Sequence, residues 1–426
     1  MLAPGTEVVV RAERLWDGAA EEVFEGMDVR VREGRIVEMN PGLRPSTPAG
    51  TVIDLPHRTL LPGLIDCHVH IIDEALDTEP LGYQVIRAVP VLQDLLLRGF
   101  TTIRDLGSAD QPLNVSLKRA VSEGTILGPR MIVAPNMISA HGGHGDKEPG
   151  LGERYGLEVG TVADGQEAIL RVVREQARSG ADWIKYAASG GFSSPSDGLA
   201  DVGYTQQEMN LLVAAATDRQ LPVAAHAFGD EAVRRALLAG VRSVEHACLT
   251  GPETLSLIAE QGTWLVPTQY AQVYFLDRLE NEEFWEGRPA HLREAFRRHA
   301  DQLRHHFPLV AASGVRIAFG TDAGVFPHAE NWREFTTLVD HGFTPLQTLR
   351  AATSEAAELL GLTGLGRIAT GLTADLAAVL GNPLEDIRHM GQVDFVMKEG
   401  LVHRTPQGLS HEPLRADTSV SARRHY

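Results

Sequence analysis

The run Asp66-Cys67-His68-Val69-His70 places two imidazoles two residues apart. On a β-strand such a pair projects from one face, where it can bind one transition metal. Taken alone, His-x-His fits a surface strand equally well. Four later residues change the balance. Lys185 in Trp183-Ile-Lys-Tyr, His226 in Val223-Ala-Ala-His, His246 in Val244-Glu-His and Asp322 in Phe319-Gly-Thr-Asp each stand at or just past the end of a short apolar run. One such histidine is commonly a hydrogen-bonded core residue. Polar, metal-competent groups at the ends of five apolar runs point instead to one catalytic rim.

The elements that must position these residues follow from the hydropathy pattern. Before residue 57 the runs Glu7-Val-Val-Val-Arg and Met27-Asp-Val-Arg-Val-Arg are separated by Gly34 and Pro41-Gly42 and lead into Thr51-Val-Ile-Asp-Leu. Their alternation predicts a small antiparallel sheet. From about Leu60, short apolar runs ending in polar residues alternate with longer stretches of helical period, the rhythm of a parallel βα sheet. Strands are predicted at 64–71, 101–105, 130–135, 183–187, 222–226, 243–247, 263–267 and 316–320, with helices such as 164–178, 230–239 and 252–260 between them. Thr205-x-x-Glu208 is a capping box that opens another helix. Eight consecutive units predict an α/β fold, a closed (β/α)8 TIM barrel, while counting alone leaves a doubly wound sheet open. After Thr344-Pro345, which opens a further helix, 376–380 and 394–397 again read as strands.

Composition bounds the partners. The chain has 426 residues with 39 Lys+Arg against 56 Asp+Glu, a formal charge of −17, which argues against nucleic acid and anionic membranes. Two cysteines, Cys67 and Cys248, cannot supply a disulfide framework, and both read as small packing residues beside ligand positions. The amino terminus has no basic and apolar leader, and no apolar run reaches the roughly 20 residues of a membrane helix. A cytoplasmic protein is the expectation.

The set His68-x-His70, Lys185, His226, His246 and Asp322, in this order, resembles the amidohydrolase superfamily. Leu60-Leu-Pro-Gly-Leu-Ile-Asp-Cys-His-Val-His and Gly371-Leu-Thr-Ala-Asp-Leu-Ala are similar to its other recurrent stretches, and the resemblance runs to about residue 400. The closest likeness is to the branch holding prolidase-like dipeptidases, carboxypeptidases of N-acyl amino acids and ochratoxin amidases. That resemblance implies two divalent metal ions, zinc being the best match to imidazoles. His68, His70 and Asp322 would hold the more buried ion, His226 and His246 the more exposed one, and Lys185 would bridge them as a carbamate formed with carbon dioxide. A lysine ammonium has no acceptor and cannot ligate unmodified. Hydroxide between the metals would attack the amide carbonyl, with Asp322 as general base and then general acid. No serine or cysteine nucleophile is needed. Related deaminases and imidazolone hydrolases lack the lysine and use an acid beyond the fifth strand. Glu231 is the nearby candidate here, and it reads more simply as the charged first turn of a helix.

The resemblance also implies a barrel over 58–369 and a small composite β-sandwich domain from 1–57 and 370–409, with a mobile tail at 410–426. The expected partners are a carboxylate-bearing small-molecule substrate and further copies of the chain in a homo-oligomer. Substrate contacts are sought on the same rim. Ser139-Ala-His141-Gly-Gly-His144-Gly-Asp146 offers His141 and His144 on a glycine-rich loop. Tyr186 could reach a carboxylate with its hydroxyl or fill the barrel wall, and His328 follows the eighth strand. Gln269 and Tyr270 are weaker candidates. Phe228 stands where many relatives carry a second histidine, which favours an apolar or aromatic acyl group. Segment 275–306, crowded with Arg, Glu and His, reads as a solvated helical face, with a lid or oligomer contact as the minority reading.

Overall fold

The computed structural model describes residues 7–72, 79–107, 112–146, 161–194 and 197–409. The tail expected at 410–426 lies outside these. The chain is α/β, built from one large sheet that joins its two ends and two sheets of parallel strands. No helix among the described residues is long and apolar enough to cross a membrane.

In the large sheet the strand Val8–Leu15 pairs antiparallel with Asp28–Arg32, as the alternation predicted. Its other edge, however, takes Thr51–Pro62 in parallel, which corrects the expectation of a purely antiparallel sheet. The hairpin of Asp28–Arg32 with Arg35–Asn40 occupies one edge of the first strand. The chain must therefore cross to the opposite edge, and it arrives there running parallel. Leu376–Leu380 then pairs with Thr51–Pro62, and Val393–Lys398 and Leu401–Thr405 continue the sheet outward. Val10, Leu15, Val29, Leu60, Leu376 and Phe395 form one apolar core beneath it.

The parallel strands carry the polar residues of interest. The first three, Leu64–Val69, Phe100–Asp105 and Arg130–Val133, pair in order. The fourth to seventh, Ile184–Ala187, Val223–Gly229, Ser243–Leu249 and Trp264–Val266, do likewise. Most are buried along their whole length, as strands covered by helices on one side and packed on the other must be. Two details were not predicted. Residues 137–139 form a separate short strand that pairs with the fourth, so the third ends at Val133. Residues 316–320 form no strand. They touch the seventh by a single bridge, Leu265 with Ile317, and exchange backbone hydrogen bonds with Leu265 on one side and Cys67 on the other. Gly314, Gly320 and the turn at Asp322 interrupt the extended run that a ladder needs.

The capping box is present: Thr205 accepts from the Glu208 amide and Glu208 from the Thr205 amide. Segment 275–306 is not simply a solvated face. Its helices Gln269–Leu276, Glu282–Trp285 and Ala290–Ala312 bury Tyr274, Phe275, Trp285 and Phe296. Arg278 and Arg288 lie over the rings of Tyr274 and Phe284 at 4.1 and 3.9 Å. Phe296 stacks on Phe192 of the fourth-strand loop at 4.0 Å, so the segment is anchored over that loop.

Candidate metal centre

The first strand and the turn after residue 320 bring three residues together. Asp322 Oδ1 lies 3.2 Å from His68 Nε2 and 3.3 Å from His70 Nε2. The turn is tied down by backbone and side chain. Thr321 and Asp322 amides donate to the His68 carbonyl, and Thr321 Oγ1 donates to buried Asp66 at 2.7 Å. Asp322 adopts φ 62°, a conformation that costs a non-glycine residue and recurs at functional turns. Residue 320 has to be glycine, because a Cβ there would lie 2.3 Å from Val266 Cγ1 and 2.9 Å from His68 Cβ.

The sixth strand breaks alternation to supply two residues. In a regular strand Glu245 and His246 would face opposite sides. With φ of 71° at His246 and 51° at Ala247 both reach the same centre. Glu245 Oε2 lies 2.8 Å from His68 Nδ1, while the His246 ring sits 5.0 Å from that of His68 and 4.8 Å from that of His226. His246 Nδ1 bonds Thr268 Oγ1 at 2.7 Å, and His70 Nδ1 bonds the Gly107 carbonyl at 2.8 Å. Thus His68, His70 and His246 all have Nδ1 occupied, which leaves Nε2 to bind an ion. Ligand atoms of His68, His246 and Asp322 lie within 4.8 Å of one another. His226 lies beside them and keeps a 3.2 Å contact with the Gly190 carbonyl through Nε2.

Lys185 is buried, and its Nζ has no hydrogen-bond partner. Burial lowers its pKa to about 8, against the pull of Glu245 and Asp322. Burial likewise pushes His226 down to about 3 and His246 well below the usual imidazole range, so both are neutral and able to ligate. Asp322 stays ionised: burial opposes its charge, but the neighbouring imidazoles outweigh that and hold the carboxyl well below its ordinary value. The neutral His226 and His246, an ionised carboxylate and an orphaned buried amine form a donor set that fits divalent ions.

Sequence reading missed Arg104, Glu245, Asp66 and Thr268. Arg104 did leave a signal, because an arginine inside an apolar strand must find a buried partner. Of the other candidates, His144 joins the centre: its ring stacks on His226 at 4.2 Å and its Nδ1 bonds Ser194 Oγ at 2.7 Å. His328 stands behind it, with Nε2 donating to the His70 carbonyl at 2.7 Å. His141 is exposed and pairs with Asp164 through Nδ1. Tyr186 follows Lys185 on the strand and so faces the other way, buried edge-on against Tyr204. Gln269 and Tyr270 are held by protein groups, their amides on Glu334 and the Tyr270 hydroxyl on Glu330. Glu231 pairs with Arg235 one helical turn on.

Parallel strands thus end in a cluster of imidazoles and carboxylates that could hold a metal ion. The chain belongs to the amidohydrolase family, whose model matches residues 59–402, and it is a hydrolase of carbon–nitrogen bonds. An Xaa-Pro dipeptidase solved with methionine in its active site is 33% identical, with a TM-score of 0.86 over 94% of this chain and 100% of that one. A prolidase solved with N-methylphosphonate-L-proline is 33% identical, with a TM-score of 0.85 over 94% of this chain and 100% of that one. Ochratoxinase of Aspergillus niger is 29% identical over 384 residues, 82% of this chain and 76% of that protein.

Proposed function

We propose that this chain is a metal-dependent amidohydrolase that cleaves an amide or peptide bond next to a free carboxylate. The substrates would be dipeptides, N-acyl amino acids or ochratoxin-type amides, as the dipeptidase, prolidase and ochratoxinase likenesses suggest. The observation that carries this reading is the buried, unpartnered Lys185 Nζ among neutral imidazoles and an ionised aspartate. His68, His70 and Asp322 would hold one divalent ion and His226 and His246 another, with Lys185 between them as a carbamate. Two zinc ions would lower the pKa of water and polarise the amide carbonyl. Lys185 reaches the carbamate when its neutral amine attacks carbon dioxide, forming an N–C bond and releasing one proton. A pKa near 8 gives it a usable neutral fraction. Asp322 accepts the proton of the attacking water and returns it to the leaving nitrogen. His144, packed on His226, is the candidate contact for the substrate carboxylate.

We read the parallel strands as a closed (β/α)8 barrel, with residues 316–320 completing the ring between the seventh and first strands, and the sheet shared by both termini as a separate small domain. The hydrogen bonds from this segment to Leu265 and Cys67 support that closure. A second activity on the same centre is hydrolysis of cyclic amides, lactones or phosphoesters. A panel of N-acyl amino acids, X-Pro dipeptides and ochratoxin-like amides, assayed with added zinc and bicarbonate, separates the two, since the first alone releases free amino acids. Fewer than about one metal per chain together with full activity in Lys185→Ala rules the main reading out.

A further inference from the structure

A fully buried ion pair runs behind the metal-facing side of His68. Arg104, on the second parallel strand, is 0% exposed, and so is Glu245 on the sixth. Arg104 Nη2 donates to Glu245 Oε1 at 2.9 Å and to Oε2 at 3.1 Å; Nη1 donates to Ser243 Oγ at 3.1 Å, and Nε to the Cys67 carbonyl at 2.5 Å. The guanidinium lies over the Trp183 ring at 4.4 Å. Ser243 Oγ donates in turn to Glu245 Oε1. Glu245 Oε2 also meets His68 Nδ1, at 2.8 Å.

Stability is a poor reason for such a pair. Burying two charges costs several kcal/mol per ion, and apolar residues of similar volume often serve as well or better. Its distinctive outward contact is the one to His68. Glu245 offers an acceptor to Nδ1, which places a proton there and leaves Nε2, 3.2 Å from Asp322 Oδ1, as the ring atom on the side of the proposed metal site.

We infer that Glu245, held in place by Arg104 and Ser243, is the positioning residue that fixes the tautomer and orientation of His68 for metal binding. The inference rests on His68 being a ligand, as proposed above. A backbone carbonyl serves His70 and a hydroxyl serves His246, so of these three only His68 leans on a charged acceptor.

The test is zinc affinity by competition with a chromophoric chelator, on the full chain, alongside the unfolding midpoint of the metal-free protein. Arg104→Met/Glu245→Leu removes both charges together and leaves no unpaired ion. It is expected to fold while losing about 10–100-fold in zinc affinity, the usual cost of removing a histidine's outer partner. Arg104→Met/Glu245→Gln restores a neutral acceptor for Nδ1–H and should recover part of that loss. Zinc affinity in the Leu variant within about threefold of the wild type, or no recovery with Gln, overturns the inference. Nitrogen-15 NMR of histidine-labelled, metal-free wild type gives an answer that needs no variant: His68 must carry a proton on Nδ1, and an Nδ1 without a proton overturns the inference. Failure of the wild type itself to bind zinc defeats the ligand reading and this inference with it.

Discussion

His144 lies flat on His226, the ring centroids 4.2 Å apart and the planes 16° from parallel. A residue from the loop after the third strand thus supports the imidazole at position 226 of the fifth, a proposed metal ligand. Gly191 makes the approach possible, since a Cβ there would lie 2.2 Å from His144 Cε1 and 2.3 Å from Nδ1. Gly191→Ala should displace His144, costing about 1–3 kcal/mol of stability, as overpacking does. Catalytic efficiency should fall at least about tenfold with it, since small displacements of a site can cost a hundredfold. Adding His144→Ala should recover stability but not activity. Urea unfolding and kcat/KM of the two variants read both effects, and equal activity in Gly191→Ala and wild type would show that the stack is packing only.

Lys185 sets a pH dependence in the metal-free, carbon dioxide-free protein. Its pKa is about 8 in the folded chain against 10.5 for an ordinary lysine. Between these values the unfolded chain binds more protons, so stability rises with pH; below about 8 both states are protonated and the full penalty of the buried ammonium is present. Unfolding midpoints across pH 7 to 10 should therefore climb more steeply in the wild type than in Lys185→Met. Parallel profiles would show that the amine is solvated.

Asp322→Asn keeps the size of the side chain but removes its charge and its basicity. A drop in kcat of about 10²–10⁴ is expected from the lost proton transfer alone, with zinc affinity weakened besides. A variant retaining more than a tenth of wild-type kcat would assign the proton to another group.

Phe228 is the apolar wall of the centre, its ring 4.6 Å from that of His226 and 5.1 Å from that of His246. Phe192 meets it at 5.3 Å. Phe228→Ala should lower kcat/KM for amides with aromatic acyl groups by about 10-fold or more, and much less for acetyl amides, the scale that apolar pocket contacts command. Competition between N-benzoyl and N-acetyl substrates of one amino acid reads the ratio directly. An unchanged ratio would place the acyl group on another side of the metals.

The six polar residues at the ends of apolar runs, the βα rhythm and the capping box at Thr205 were legible in sequence because each is a local pattern: strand alternation, helical period or a three-residue spacing. Alternation also sets Tyr186 on the face opposite Lys185, which decides between its two readings in favour of the wall-filling aromatic. What lay beyond the sequence depended on pairing between distant segments. Thr51–Pro62 runs parallel to Val8–Leu15 because of which sheet edge was free. Arg104 and Glu245 are 141 residues apart. Left-handed φ at His246 and Asp322 has no signature in sequence, because histidine and aspartate enter that region more readily than most side chains yet only at a few of their positions. The sequence by itself determined which metal-competent side chains the chain carries and in what order. Only the tertiary structure decided how those side chains are oriented, because hydrogen bonds and strain between strands arise from the pairing of distant segments.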